Sequence, residues 1–235
     1  MSEPIPITDL ALTYLVRQAE VPSGAKAPLL LLLHGVGSNE RDLFTFADYL
    51  DPACTIISIR APREYVIGHS WFDLELAPGR FEVNHQQIMD SCAQLIHFID
   101  AAIERYDADP QRVLIGGFSQ GAIMSLLVGL TQPQRVSGVV CMSGCLTPDI
   151  EPHLAPAEAL AGMPILMTHG VTDGIIPISF GRHTRDILEK LPVKLSYHEF
   201  GDMGHEVNLQ SLEEVLTWTT TQLAYPWHSL TATAE

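Results

Sequence analysis

Residues 29–33 are five consecutive leucines, closed by His34-Gly35. A strand with one face in water alternates apolar and polar side chains, because successive side chains point to opposite faces. An unbroken apolar run has to be covered on both faces. Sheets covered on both faces are the parallel ones, wrapped by helices. This one stretch therefore argues against a half-solvated antiparallel sheet around it.

The remaining pattern agrees. Apolar and β-branched runs predict further strands over 12–16, 56–59, 113–115, 136–142, 165–167 and 193–200. Helices are expected over 43–50, 122–130, 179–191 and 207–223. From Gln86 onward, Ile88, Cys92, Leu95, Ile99 and Ile103 step by 4, 3, 4 and 4, which lines one helical face. Asp109-Pro110 is expected to break the chain after that helix. The alternation predicts an α/β fold, with a mostly parallel central sheet and helices on both faces. A chain of 235 residues, 46% hydrophobic and 17% charged, suffices for one buried core. One domain is expected over 1–235, with 226–235 as a flexible tail. A Pro-rich loop is expected over 148–156. Residues 61–84 interrupt the alternation with Pro, Gly, Trp71, Phe72 and Phe81, and read as a long ordered loop.

Charge narrows the partners. The formal net charge is −15, and no cluster of Lys or Arg offers a phosphate backbone a basic face, so nucleic acid is not an expected partner. Stable docking on anionic membrane is disfavoured for the same reason, and a neutral or zwitterionic small molecule fits better. No apolar run reaches the length of a membrane span. Cys54, Cys92, Cys141 and Cys145 form no C-x-x-C pair and no zinc spacing. They read as buried hydrophobes in a reducing compartment. MSEPIPITDL has neither a basic n-region nor an apolar h-region, so a cytoplasmic protein is expected.

In parallel sheets, sites gather at the carboxyl ends of strands. Gly117-Phe118-Ser119-Gln120-Gly121 lies at one, between an expected strand and an expected helix. That is the context a nucleophile elbow requires: a turn so tight that the serine is strained and its oxygen projects above the sheet. The Gln120 backbone N–H, at a helix N-terminus, is placed to stabilise an oxyanion. A serine needs a base at neutral pH. Among ten histidines, His205 sits in a glycine-bent loop after the last strand, in Phe200-Gly201-Asp202-Met203-Gly204-His205-Glu206. His34 and His169 precede glycines at strand ends. They are read as shaping an oxyanion loop and supporting an acid-bearing turn. Asp173, just after the penultimate strand, is the expected third member; Asp202 is the rival, read as a turn former. The order Ser119, Asp173, His205 is that of the α/β-hydrolases. A second oxyanion N–H is assigned to Val36 in His34-Gly35-Val36-Gly37, with Gly35 and Gly37 as neighbouring alternatives. Trp71, Phe72 and Leu74 offer apolar surface to an acyl chain, or else anchor the long loop in the core.

Taken together, His34-Gly35-Val36-Gly37, Ser70-Trp71-Phe72-Asp73, the 117–121 pentapeptide, Asp173-Gly174-Ile175-Ile176-Pro177 and Gly204-His205-Glu206 resemble the phospholipase/carboxylesterase family of α/β-hydrolases. The matching motifs spread over about 29–220, nearly the whole chain. The resemblance implies a domain with no large cap, a Ser119–Asp173–His205 triad, oxyanion N–H groups from Val36 and Gln120, and an acyl groove along 70–81. It allows a homodimer. The mechanism needs no cofactor or metal, and the sequence holds no H-E-x-x-H or similar cluster. The family's thioesterase branch carries Gly-Asp after the oxyanion residue, whereas Gly37 here is followed by Ser38-Asn39-Glu40, which favours the bacterial esterase branch. The expected activity is carboxylic-ester hydrolysis through an acyl-enzyme. Lysophospholipase or thioesterase action on longer acyl chains is the alternative, and a non-catalytic binder on the same scaffold is the third reading.

Overall fold

The computed structural model describes residues 4–22, 24–77, 80–147, 150 and 153–224. The expected tail 226–235 lies outside the described residues. So do the Phe81 side chain and residues 148, 149, 151 and 152 of the expected Pro-rich loop.

In chain order the strands are β1 (Tyr14–Arg17), β2 (Ala27–Leu33), β3 (Thr55–Ile59), β4 (Arg63–Glu64), β5 (His69–Ser70), β6 (Leu74–Ala77), β7 (Arg80–Val83), β8 (Ala108–Phe118), β9 (Gly138–Met142), β10 (Pro164–Gly170) and β11 (Lys194–Phe200). The helices are α1 (His85–Arg105), α2 (Gln120–Thr131), α3 (Ala157–Leu160), α4 (Ile178–Leu188) and α5 (Leu209–Ala224). Seven strands form the main sheet in the order β1-β3-β2-β8-β9-β10-β11. β1 runs antiparallel to β3, and every other pairing in this sheet is parallel.

The leucine run explains its own composition once its faces are separated. Leu29, Leu31 and Leu33 belong to one core with Leu95 and Phe98 of α1 and Leu126 of α2. Leu30 and Leu32 belong to the other, with Val215 and Trp218 of α5 and Phe46. All five leucines are buried, so neither face of β2 can carry a polar residue. Alternate residues of β8 and β9 divide in the same way: Val113, Ile115, Val139 and Cys141 on one side, Leu114, Val140 and Met142 on the other.

The helix expected over 43–50 forms over 43–49 as a 3-10 helix, with Leu43, Phe46 and Ala47 buried. Two local expectations are corrected. The presumed loop over 61–84 contains two antiparallel hairpins, β4–β5 and β6–β7, whose strands are too short to show a period. Asp109-Pro110 does not end an element. Ala27 pairs with Ala108 but Leu29 with Val113, so the proline sits in a bulge of β8. Among the described residues, no helix is long and apolar enough to cross a membrane.

The order of the sheet fixes where chemistry can sit. From β2 the chain adds β3 on one side, then returns to lay β8 on the other, so the direction of winding reverses between β2 and β8. At such a switch point the loops leaving the carboxyl ends part and open a crevice. The segments after β2 and β8 are His34–Ser38 and the serine turn.

Leu31 sits at the middle of the sheet with no exposed surface, and Leu209 is 79% exposed on α5. Leu31→Ala should cost about 2–5 kcal/mol of unfolding free energy, and Leu209→Ala no more than about 0.5 kcal/mol, read from urea titrations at constant m-value.

Candidate active site

The serine turn is built by close backbone approach. A Cβ on Gly117 would lie 2.7 Å from the Leu33 carbonyl oxygen, and one on Gly121 would overlap that carbonyl outright. Both positions therefore require glycine. Between them Ser119 adopts φ 54° and ψ −117°, a conformation that costs a non-glycine residue about 1–3 kcal/mol. The Ser119 N–H donates to the Met142 carbonyl at 2.9 Å, which ties the turn to β9. Ser119 then starts α2, whose first N–H, that of Gln120, has no carbonyl one turn back to bond.

The other half of the site hangs on β10 and β11. A Cβ on Gly170 would overlap the carbonyls of Met203 and Gly204, so the last residue of β10 lets the loop after β11 pass directly over it. The N–H and Oγ1 of Thr172 both donate to the Met203 carbonyl, at 3.1 and 2.9 Å. These contacts fix the loop that carries His205. Its Nε2 lies 2.9 Å from Ser119 Oγ and its Nδ1 lies 2.8 Å from Asp173 Oδ2. The Asp173 Oδ1 accepts the N–H groups of Ile175 and Ile176 at 2.9 and 2.8 Å. Burial pushes the Asp173 carboxyl up, but the His205 hydrogen bond and the two backbone donors outweigh it, and the group rests below the ordinary carboxylate value. A carboxylate on Nδ1 keeps that proton in place and leaves Nε2 to accept from serine. Side chains 86 positions apart in sequence thus meet in one hydrogen-bonded line. The rival Asp202 is exposed in the turn beyond β11.

His34 shapes the loop after β2. Its Nε2 accepts the Ala61 N–H at 3.0 Å, so Nδ1 carries the proton and donates to the Gly35 carbonyl at 2.7 Å. Across a trans peptide, C=O and N–H point in opposite directions. Drawing the Gly35 carbonyl toward His34 turns the Val36 N–H away from it. Gly35 itself lies against the turn, with a Cβ there 3.3 Å from that of Ser119. The Gly37 N–H is spent on the His69 carbonyl at 2.9 Å, which argues against it as an oxyanion donor. The Ser38-Asn39-Glu40 stretch has its own anchor: Glu40, buried, takes Arg60 Nε at 2.6 Å and Nη2 at 2.7 Å. Burial pushes the Glu40 carboxyl up, and the guanidinium more than reverses it.

Two expected substrate contacts are corrected. Trp71 and Phe72 are fully buried and leave no surface for an acyl chain. Trp71 Nε1 donates to the His34 carbonyl at 2.9 Å, and the Gln120 side chain takes the Trp71 N–H at 2.7 Å and donates to the Phe72 carbonyl at 2.5 Å. The 71–72 segment is a strut between the loop after β2 and the serine turn. Leu74 is half-buried and packs on the core. Two features escaped sequence reasoning. Phe118 packs against His205 with ring centroids 4.9 Å apart and the rings tilted by 44°. The β4–β5 turn exposes Tyr65, Val66 and Ile67, and seats its Gly68 so tightly on Gly37-Ser38 that no Cβ would fit. Gly68 before a two-residue strand is the only signal either left in the sequence. Among the described residues, no group of three or more His, Cys, Asp or Glu side chains is arranged to hold a metal ion.

Residues 17–223 match the phospholipase/carboxylesterase family. Acyl-protein thioesterase 1 of Gibberella zeae is 33% identical over a stretch covering 48% of this chain and 49% of that one. Acyl-protein thioesterase 1 of Debaryomyces hansenii is 29% identical over 73% of this chain and 74% of its own. The structure also superposes on a carboxylesterase from Mesorhizobium loti with a TM-score of 0.79 and 25% identity, over 96% of this chain and all of that one.

Gly170→Ala tests the seat of the histidine loop. The added methyl has to displace the 203–204 backbone, so kcat for a p-nitrophenyl ester should fall about tenfold or more, beyond any loss of folded protein seen by circular dichroism.

Proposed function

The chain belongs to the phospholipase/carboxylesterase family, and from that premise we propose that Ser119, His205 and Asp173 form the triad of a serine esterase. The observation that carries the reading is the unbroken line of hydrogen bonds from Asp173 through His205 to Ser119. As Oγ attacks the carbonyl carbon of a bound ester, His205 Nε2 takes the serine proton. The Val36 and Gln120 N–H groups receive the charge that develops on the carbonyl oxygen. The protonated imidazole, steadied by Asp173, then gives its proton to the leaving alcohol. The acyl-enzyme remains until a water molecule, deprotonated by the same imidazole, releases the acid and restores serine. The scheme needs no cofactor. The intact trio weighs against a non-catalytic binder.

The substrate class in this proposal is a neutral ester with a short to medium aliphatic acyl group. Its support is an apolar rim of exposed side chains on the loops that carry the site: Val36 on the loop after β2, Tyr65, Val66 and Ile67 on the hairpin turn seated on that loop, and Ile175 on the Asp173 turn. Apolar side chains left exposed on such loops offer contact to an acyl chain. A protein of net charge −15 would repel an anionic substrate. A thioester carbonyl suits the same attack, and the names of the fungal relatives favour it as the second reading. A cytoplasmic setting, inferred from cysteine usage, belongs to the same proposal.

Ser119→Ala should lower kcat for p-nitrophenyl esters about a thousandfold or more while leaving the circular dichroism spectrum unchanged. Near-native turnover would remove Ser119 as the nucleophile. On a series of p-nitrophenyl esters, kcat/KM should rise from acetate to hexanoate by up to about fourfold per methylene, the worth of one buried CH₂. A flat series would separate the apolar rim from substrate binding. Matched oxygen and thioesters of one acyl group decide the leaving group.

A further inference from the structure

Asp173 is held from beneath by a side chain that the scheme above does not use. His169, the penultimate residue of β10, is fully buried. Its Nε2 lies 2.8 Å from the Ile176 carbonyl oxygen and 3.4 Å from Asp173 Oδ2. A carbonyl oxygen only accepts, so Nε2 carries the proton. Ile176 is thereby gripped at both ends, its N–H by Asp173 Oδ1 and its carbonyl by His169. The ring cannot turn away. A Cβ on Gly181 of α4 would lie 2.8 Å from Nδ1 and 3.1 Å from Cγ, so the bare α-carbon packs against that edge of the imidazole. Nδ1, buried there, has no hydrogen-bond partner among the described residues. A proton on it would have nowhere to bond.

Burial holds the imidazole below its ordinary pKa, which keeps it neutral. Neutrality has a purpose at this position. A second cation beside Asp173 would compete for the counter-ion that His205 needs on taking the serine proton. A neutral N–H holds the Ile176 carbonyl, and through it the turn that carries the carboxylate, without that competition.

We infer that His169 is a positioning residue: its Nε2–H closes the 173–176 turn and aims Asp173 Oδ2 at His205. The inference rests on the triad reading. Its effect belongs to the chemical step and not to substrate binding, because His169 is fully buried beneath the 173–176 turn and offers no surface to a substrate.

The test compares His169→Leu, which removes the donor, with His169→Gln, which returns an N–H near the place of Nε2. For the leucine variant, kcat on a p-nitrophenyl ester should fall about tenfold or more, with KM within about twofold of the parent. The glutamine variant should recover most of that loss. A leucine variant with parental kcat overturns the inference, and so does a glutamine variant as slow as the leucine one. If His169→Leu does not fold, Gly181→Ala decides. It keeps His169 but presses a methyl on Nδ1; reduced kcat at unchanged KM supports the inference, and parental kcat overturns it. Ser119→Ala, assayed in parallel, separates the two readings. Turnover surviving there brings down the triad, whereas lost turnover beside an unaffected His169→Leu removes only the role of His169.

Discussion

The site depends on a contact between two backbones that leaves no room for a side chain. Gly117 and Gly121 press on the carbonyl of Leu33, at the point where β2 and β8 end side by side. A side chain at either glycine would wedge the serine turn off the sheet. With both bare, α2 starts directly over the end of β2, and two loops that leave the sheet separately come to face one another. The loop after β2, proposed as the oxyanion loop, and the strained serine share one crevice because this contact holds.

The strain at Ser119 is offset by what surrounds it. The turn follows the buried half of β8, its N–H is bonded to the fully buried β9, and α2 is buried along nearly its whole length. A conformation costing a few kcal/mol persists when many contacts over-determine it. The Asp173–His205 arm is made differently. It hangs from two neighbouring strands near the edge of the sheet, and its loops are stapled by Thr172 and seated on Gly170. The arms meet through the serine–imidazole hydrogen bond and the ring contact of Phe118 with His205. Function therefore depends on the relative placement of two rigid units, which the shared sheet fixes.

The sequence was most legible where a residue answers to local constraint. Five leucines in a row can only be a strand covered twice, and glycines two residues either side of a serine mark a turn no other residue fits. The order of serine, aspartate and histidine follows from loops that must leave the carboxyl ends of successive strands. Tertiary choices were less legible. Trp71 and Phe72 sit in a polar-flanked loop, and nothing nearby in sequence tells that the Gln120 side chain, 48 or 49 positions away, pulls their backbone inward. The β4–β5 turn has two-residue strands, below the length at which alternation is visible. Its apolar tip, rather than the buried aromatic pair, is what the loop after β2 has beside it as exposed apolar surface. The bulge at Pro110 differs from expectation by local geometry alone and does not move the site.

The account depends on one activated oxygen. A fluorophosphonate probe reports it directly, because it forms a stable adduct only with a serine whose proton can be taken by a neighbouring base. Intact-mass and peptide mass spectrometry of the labelled protein should find a single phosphonyl group, on Ser119, appearing in step with the loss of esterase turnover. An unlabelled protein that still hydrolyses esters, or an adduct on another residue that accounts for the lost turnover, would contradict it.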